Sequence, residues 1–179
     1  MNLPSYVKIC ILNTYLIHVS LKHLEKNTRY DIGIMQLTRH TDYSLRVLMY
    51  LAANPSQLVT VAELADFYHI SRNHLVKVVQ GLVEHGFVET IRGKHGGMQL
   101  ARESNRISIG MVVRRMENHF NIVECFDADN DVCVLTDVCK LKGILTHATE
   151  NYLKGLDKIS LADVNKPQLR QQMVKLQNI

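Results

Sequence analysis

The chain has 179 residues, 46% of them hydrophobic, with a formal net charge of +4. That suits one domain, or one domain with an appendage, and excludes a chain too poor in apolar residues to bury a core. The charge is uneven: residues 35–116 hold ten Lys/Arg against six Asp/Glu and residues 117–179 hold seven against nine, so an anionic partner is expected for the first part.

In chain order, residues 1–34 carry Cys10, scattered aromatics and no amphipathic pattern. Their most apolar run, "SYVKICILNTYLIHVSL", is interrupted by Lys8, Asn13 and His18, and no small-residue cleavage site follows it. Neither a signal peptide nor a membrane span is expected there. The abrupt change of pattern at Met35 predicts that 1–34 is an N-terminal extension, a start assigned too far upstream of a native start at Met35. The plainer alternative is a loosely docked N-terminal helix.

A first helix is predicted over 38–53, with Tyr43, Leu45, Val47, Leu48, Tyr50 and Leu51 on one side and "NPS" as its stop. Thr60 and Glu63 have capping-box spacing, so a second helix starts near Val61 and ends near Tyr68. Ser71 caps a third helix, whose Leu75, Val78, Val79, Leu82 and Val83 keep helical spacing and whose stop is Gly86. Gly81 in its interior costs about 1 kcal/mol relative to Ala. Two short strands are predicted over 87–92 and 98–101, joined by a positively charged turn of Gly93, Lys94, His95, Gly96 and Gly97. Helix resumes over 107–120 with a stripe of Ile109, Val112, Val113 and Met116, and again from Cys139 to about Ile159. "SLADVN" begins a short final turn, and the polar tail after Pro167 is expected to fray.

Two short helices joined by a tight link and followed by a hairpin form the winged helix-turn-helix pattern. Leu64, Val78 and Leu82 are expected to pack the second helix on the third. That packing leaves Ser71, Arg72, Asn73, His74, Lys77 and Gln80 to face a DNA major groove. Asn and Gln can read adenine, and Arg guanine. Arg92, Lys94 and His95 at the hairpin turn suit phosphates or a minor groove. One charged helix face alone is more often merely solvated; the capped helix pair and the basic Gly-rich hairpin together favour nucleic-acid binding.

The stretch "VECFDADNDVCVLTDVCK" holds Cys125, Cys133 and Cys139, spaced C-x7-C-x5-C. Structural zinc usually takes closer pairs and four ligands. A disulfide leaves one thiol over and conflicts with the reducing compartment that the absence of a signal peptide suggests. An iron–sulfur cluster accepts long loops and a non-cysteine fourth ligand. Redox thiols and incidental cysteines also remain open. The intervening Asp127, Asp129, Asn130 and Asp131 can wrap a cofactor but do not fill a core.

"MQLTRHTDYSLRVLMYLA", "ISRNHLVKVVQGLVEHGFVETIRGKHGGMQLA" and the late cysteines followed by "KLKGIL" resemble the NsrR-type nitric-oxide-sensitive repressors. These belong to the family of winged-helix iron–sulfur transcription regulators that also includes the iron–sulfur assembly repressor. The resemblance covers residues 35–164. It implies a cytoplasmic bacterial homodimer that binds a palindromic double-stranded DNA operator. It also implies one [2Fe-2S] or [4Fe-4S] cluster per subunit on Cys125, Cys133 and Cys139. In some members an aspartate of the partner's first helix, here Asp42 in "TDY", is the fourth ligand. Its plainer role is a cap or salt-bridge partner. The helix after Cys139 would form the dimer interface, and nitric oxide would be the signal. The assembly-type repressor has a His three residues after its last cysteine, where this chain has Lys142; the next histidine, His147, is read as an ordinary helix residue.

The expected architecture is therefore mainly α with a small two-stranded wing: an extension (1–34), a winged helix-turn-helix region (35–120), a cluster-binding loop and dimerisation helix (121–164) and a flexible tail (165–179). The function read is a nitric-oxide-sensitive repressor of nitrosative-stress genes. The alternative is a cluster-sensing regulator of cluster assembly or iron homeostasis. A redox or cluster-carrier enzyme would have no use for the reading helix and basic hairpin, and a cofactor-free DNA-binding module would be colourless. No hydrolase triad, phosphate loop or paired-carboxylate site supports catalysis.

Overall fold

The computed structural model describes residues 36–177; the expectations for residues 1–34 lie outside the described residues. All the elements of the described residues lie in the second of the two units into which the chain divides, Met35–Ile179. Their order is α1 (Arg39–Ala53), α2 (Val61–Tyr68), α3 (Arg72–Glu84), β1 (Val88–Ile91), β2 (Gly97–Leu100), α4 (Ile109–Met116), α5 (Lys140–Asp157), α6 (Leu161–Val164) and α7 (Pro167–Gln177). Single 3₁₀ turns occur at Ser104–Arg106, Glu124–Phe126 and Thr136–Val138.

Hydroxyl caps set most of the helix starts. Thr38, Thr60, Ser71, Ser108 and Ser160 each accept a hydrogen bond from the backbone N–H three residues on, which satisfies a donor the helix leaves free. The capping box expected at Thr60 is only half made, because the Glu63 carboxylate instead accepts from the Tyr50 hydroxyl at 2.8 Å. Between α2 and α3 the chain turns at His69, in left-handed conformation with φ 54°, and then buries Ile70.

The wing is an antiparallel pair in which Val88 faces Leu100 and Ile91 faces Gly97. A third segment joins it: Val59, just before α2, exchanges backbone hydrogen bonds of 2.8 and 3.0 Å with Met98. In the turn, a Cβ on Gly96 would stand 2.2 Å from the Ile91 carbonyl oxygen, so only glycine fits.

The core forms around α1. Val47, Leu48, Tyr50 and Leu51 are buried against Leu64, Leu75, Val78, Leu82, Phe87, Val112 and Leu161. The Tyr50 ring meets Phe67 edge-on with centroids 4.9 Å apart. As expected, Leu64, Val78 and Leu82 are all buried. Val83 is not; it is 39% exposed on the outer side of α3. The helix expected over 107–120 ends at Met116, where Glu117 turns to extended backbone.

At its far end α5 is fixed to α4. Arg114 pairs with Asp157, and the Ile109 N–H donates to the Ile159 carbonyl at 2.8 Å. Toward the start of α5, Leu141 and Ile144 are exposed, although their spacing is that of a buried stripe. After Pro167 the structure has an eleven-residue helix where the sequence predicts fraying. Proline suits the first helical position, and Met173 is buried.

Candidate nucleic-acid interface and cysteine segment

Helix α3 buries Leu75, Val78, Val79 and Leu82, which fixes what its other side presents. Ser71, Arg72, Asn73, His74, Lys77 and Gln80 are all exposed. The Ser71 hydroxyl is also the cap, accepting from the His74 N–H at 3.4 Å. Arg72 lies 3.9 Å from Asp66 with both side chains exposed, a pairing too weak to hold the guanidinium away from another anion. The face offers amide and guanidinium donors over two helical turns, the chemistry that reads base edges. Sequence reasoning missed Val76, 43% exposed and one helical turn from both Arg72 and Gln80; an apolar side chain there can meet a thymine methyl. Its signal was its position, outside the buried stripe.

Arg92, Lys94 and His95 are exposed around the wing turn, as expected. The turn is closed by the Gly96 N–H donating to the Gly93 carbonyl at 3.0 Å. The basic side chains therefore sit on a fixed hairpin rather than a loose loop.

Asp42 lies in the first turn of α1, where a carboxylate suits the helix dipole. Its carboxylate is held by Arg46, with oxygen–nitrogen distances of 2.6 and 3.1 Å. The Arg46 guanidinium also covers the Tyr43 ring, 5.7 Å from its centroid. Tyr43 in turn lies 6.4 Å, centroid to centroid, from His74 at the start of α3. Below this group the Tyr68 hydroxyl donates to the Arg46 carbonyl at 3.0 Å. Burial pushes the Tyr68 phenol well above its ordinary range, so it stays a neutral donor.

The cysteine segment is of another kind. From Glu117 to Cys139 no side chain is buried. Cys125 and Cys139 are partly exposed, Cys133 is exposed, and all three are free thiols. Cys139 caps α5, its sulfur accepting from the Lys142 N–H at 3.4 Å. Asp127 accepts from Asn130 Nδ2 at 2.8 Å and from the Asp129 N–H at 3.2 Å, which holds its carboxyl below the usual range. Asp131 is held low first by the Thr136 hydroxyl, then by the Cys133 N–H and the Lys142 cation. Apolar side chains here lack cover: Val132, Val134, Leu135 and Val138 are exposed, Val134 by 95%.

The residues expected to face DNA thus stand exposed on α3 and the wing, while the expected metal ligands are not gathered. Among the described residues no three His, Cys, Asp or Glu side chains form a metal-sized group within one chain. Asp42 is engaged by Arg46. His147 is exposed on α5. Among the described residues no helix is long and apolar enough to cross a membrane.

Residues 37–167 match the model of the Rrf2 family, described as iron-dependent transcriptional regulator. The HTH-type transcriptional regulator NsrR of Bacillus subtilis is 51% identical over 133 residues, 74% of this chain and 91% of that protein. Among solved structures, CymR, the global cysteine regulator of B. subtilis, aligns at TM-score 0.60 and 25% identity, covering 74% of this chain and 97% of that one. IscR of T. potens aligns at TM-score 0.57 and 24% identity, covering 73% and 85%.

Proposed function

Because the chain belongs to the Rrf2 family of transcriptional regulators, we propose that it is a nitric-oxide-sensitive repressor of nitrosative-stress genes, controlled by an iron–sulfur cluster on Cys125, Cys133 and Cys139. That it is a winged-helix transcriptional regulator of the Rrf2 type and not an enzyme follows from the family and its relatives. The finer reading rests on one observation above all. Twenty-three consecutive residues, Glu117 to Cys139, bury nothing and carry three free thiols. A segment of that length with no core of its own is either functional or a linker; its three thiols favour the first, and their wide spacing suits a cluster better than a zinc site. Nitric oxide as the signal rests on the motif resemblance to the nitric-oxide-sensitive repressors, with which the 51% identity to the B. subtilis regulator NsrR agrees.

The donor set fits such a group. Three sulfurs are free, and Cys139 already receives a backbone N–H, the kind of donor that supports a metal-bound thiolate. The fourth ligand is assigned to Asp42 of a partner subunit. Arg46 has to release that carboxylate first, and an exposed i, i+4 pair of this type costs only about 0.3–0.5 kcal/mol to break. When bound, the cluster supplies iron that nitric oxide attacks.

The chain's own residues do the rest. Exposed Leu141 and Ile144 on α5, with Tyr152 and the valines of the cysteine segment, form the face that a second copy covers. The α4–α5 joint carries each reading head relative to that dimer axis. Helix α3 enters the major groove of a palindromic operator in a cytoplasmic homodimer, and the wing lies against the backbone. Shifting operator occupancy from 99:1 to 1:99 needs about 5.5 kcal/mol of differential free energy. The Asp42–Arg46 pair supplies too little of that, so most must come from ordering the cysteine segment and from the Asp42 bridge between subunits.

The reading is tested by Cys125→Ala, Cys133→Ala and Cys139→Ala in a reporter strain. Each is expected to lose repression constitutively, and normal repression by all three would remove the cluster from the mechanism. A cluster indifferent to nitric oxide would favour instead a regulator of cluster assembly or iron homeostasis on the same fold.

A further inference from the structure

We propose that Asp131 is a positioning residue: with Lys142 it forms a clasp that sets Cys133 and Cys139 for cluster binding and leaves Cys125 outside. The inference rests on the cluster reading above and goes beyond it by assigning work to two residues that are not ligands.

One carboxylate reaches both ends of the Cys133–Cys139 stretch. Asp131 Oδ1 accepts the Cys133 backbone N–H at 3.0 Å and the Thr136 hydroxyl at 2.9 Å. Its Oδ2 lies 3.5 Å from Lys142 Nζ, and both side chains are partly shielded. Lys142 is in the first turn of α5, and its backbone N–H donates to the Cys139 sulfur. The chain path from Cys133 to Cys139 is thereby closed onto a helix start by contacts that need no metal. Between them the Thr136–Val138 3₁₀ turn takes up the intervening residues.

Cys125 has no such link. It sits in the separate Glu124–Phe126 turn; the neighbouring Asp127 carboxylate accepts from Asp129 and Asn130, and the Asp127 N–H donates back to the Glu124 carbonyl. The backbone at Cys133 and the sulfur of Cys139 are therefore tied to one carboxylate–lysine pair, and Cys125 is not. Presetting lowers the ordering cost of binding, and residues that orient metal ligands are typically worth 10–100-fold in metal affinity when lost. Lys142 thus contributes at both ends of its residue, its backbone N–H to the Cys139 sulfur and its ammonium to Asp131.

The test compares Asp131→Ala, Asp131→Asn and Lys142→Met with the unaltered full chain, by two readouts. In the apo-protein the Cys133 amide proton is followed by NMR. It is expected to lie downfield, because its acceptor is a carboxylate, and to move upfield in Asp131→Ala, with the Cys125 amide unmoved. In anaerobically reconstituted protein, bleaching of the visible cluster band by excess chelator is timed. Asp131→Ala is expected to bleach about tenfold faster, and Asp131→Asn less so, because its amide oxygen still accepts from Cys133 and Thr136. Lys142→Met should match Asp131→Asn. An unaltered bleaching rate in Asp131→Ala, or an unmoved Cys133 amide, would overturn the clasp while leaving the cluster reading intact. An unaltered chain that takes up no cluster would overturn both, and the colourless protein would identify the cluster reading as the one that failed.

Discussion

Glu117 Oε1 accepts both the backbone N–H of Thr38, at 2.7 Å, and the Thr38 hydroxyl, at 3.2 Å. One carboxylate thus joins the cap of the helix that carries Asp42 to the first residue of the cysteine segment. The contact is exposed, so its strength is that of a solvent-screened, charge-assisted bond. Glu117→Ala should lower unfolding stability by about 1 kcal/mol, with Glu117→Gln retaining part of it. Urea denaturation measures this, and an unchanged midpoint would show that the bond is not made in solution.

The exposed face of α3 and the wing should fail in different ways. Arg72→Ala, Asn73→Ala and Gln80→Ala should each cost about 1–3 kcal/mol on the preferred operator and relax the preference at one base position. Lys94→Ala should weaken binding to all sequences alike and reduce the slope of log affinity against log salt by about one. Binding isotherms at several salt concentrations separate the two, and equal losses for all four variants would argue against the division of labour.

His69 stands exposed at φ 54° in the turn before α3. A left-handed non-glycine residue costs about 1–2 kcal/mol, whereas glycine adds about 0.5–1 kcal/mol of unfolded-chain entropy. The balance favours His69→Gly by about 0.5 kcal/mol, readable as a small rise in Tm; a fall would show that the histidine makes a stabilising contact of its own.

Asp163 completes the capping box at α6: its carboxylate accepts from the Ser160 hydroxyl and N–H, at 2.6 and 2.8 Å. Those bonds hold its carboxyl below the ordinary carboxylate range in the folded chain. A depressed folded value means that stability is present above the unfolded value, about 3.9, and is lost as pH falls through the folded one. The stability difference between the unaltered chain and Asp163→Asn should therefore hold steady from about pH 7 to 5 and shrink toward about pH 3. A difference independent of pH would contradict the assignment.

Much of this fold is legible because it is local. Ser71 and Thr60 announce helix starts, and the α3 stripe announces a buried face, since both signals lie within one or two turns of chain. Contacts made across the fold are not legible. Glu63 has capping-box spacing but gives its carboxylate to Tyr50, thirteen residues back. Val59 joins the wing by a single bridge to Met98, too short to show alternation. The tail after Pro167 is polar enough to look frayed, yet it is a helix in which Met173 is buried. In the candidate site, residue types and exposure on α3 and the wing were readable, because a helix that buries one side must present the other. The Asp42–Arg46 pair follows i, i+4 spacing. The Asp131–Lys142 contact does not follow from spacing, because it depends on how an unburied loop folds back on α5.

The central claim is tested most directly by anaerobic purification with an absorption spectrum taken before and after stoichiometric nitric oxide, alongside operator binding on the same samples. The account predicts a visible iron–sulfur band that bleaches as operator binding is lost. A colourless protein, or a band that bleaches while operator binding persists, would contradict it.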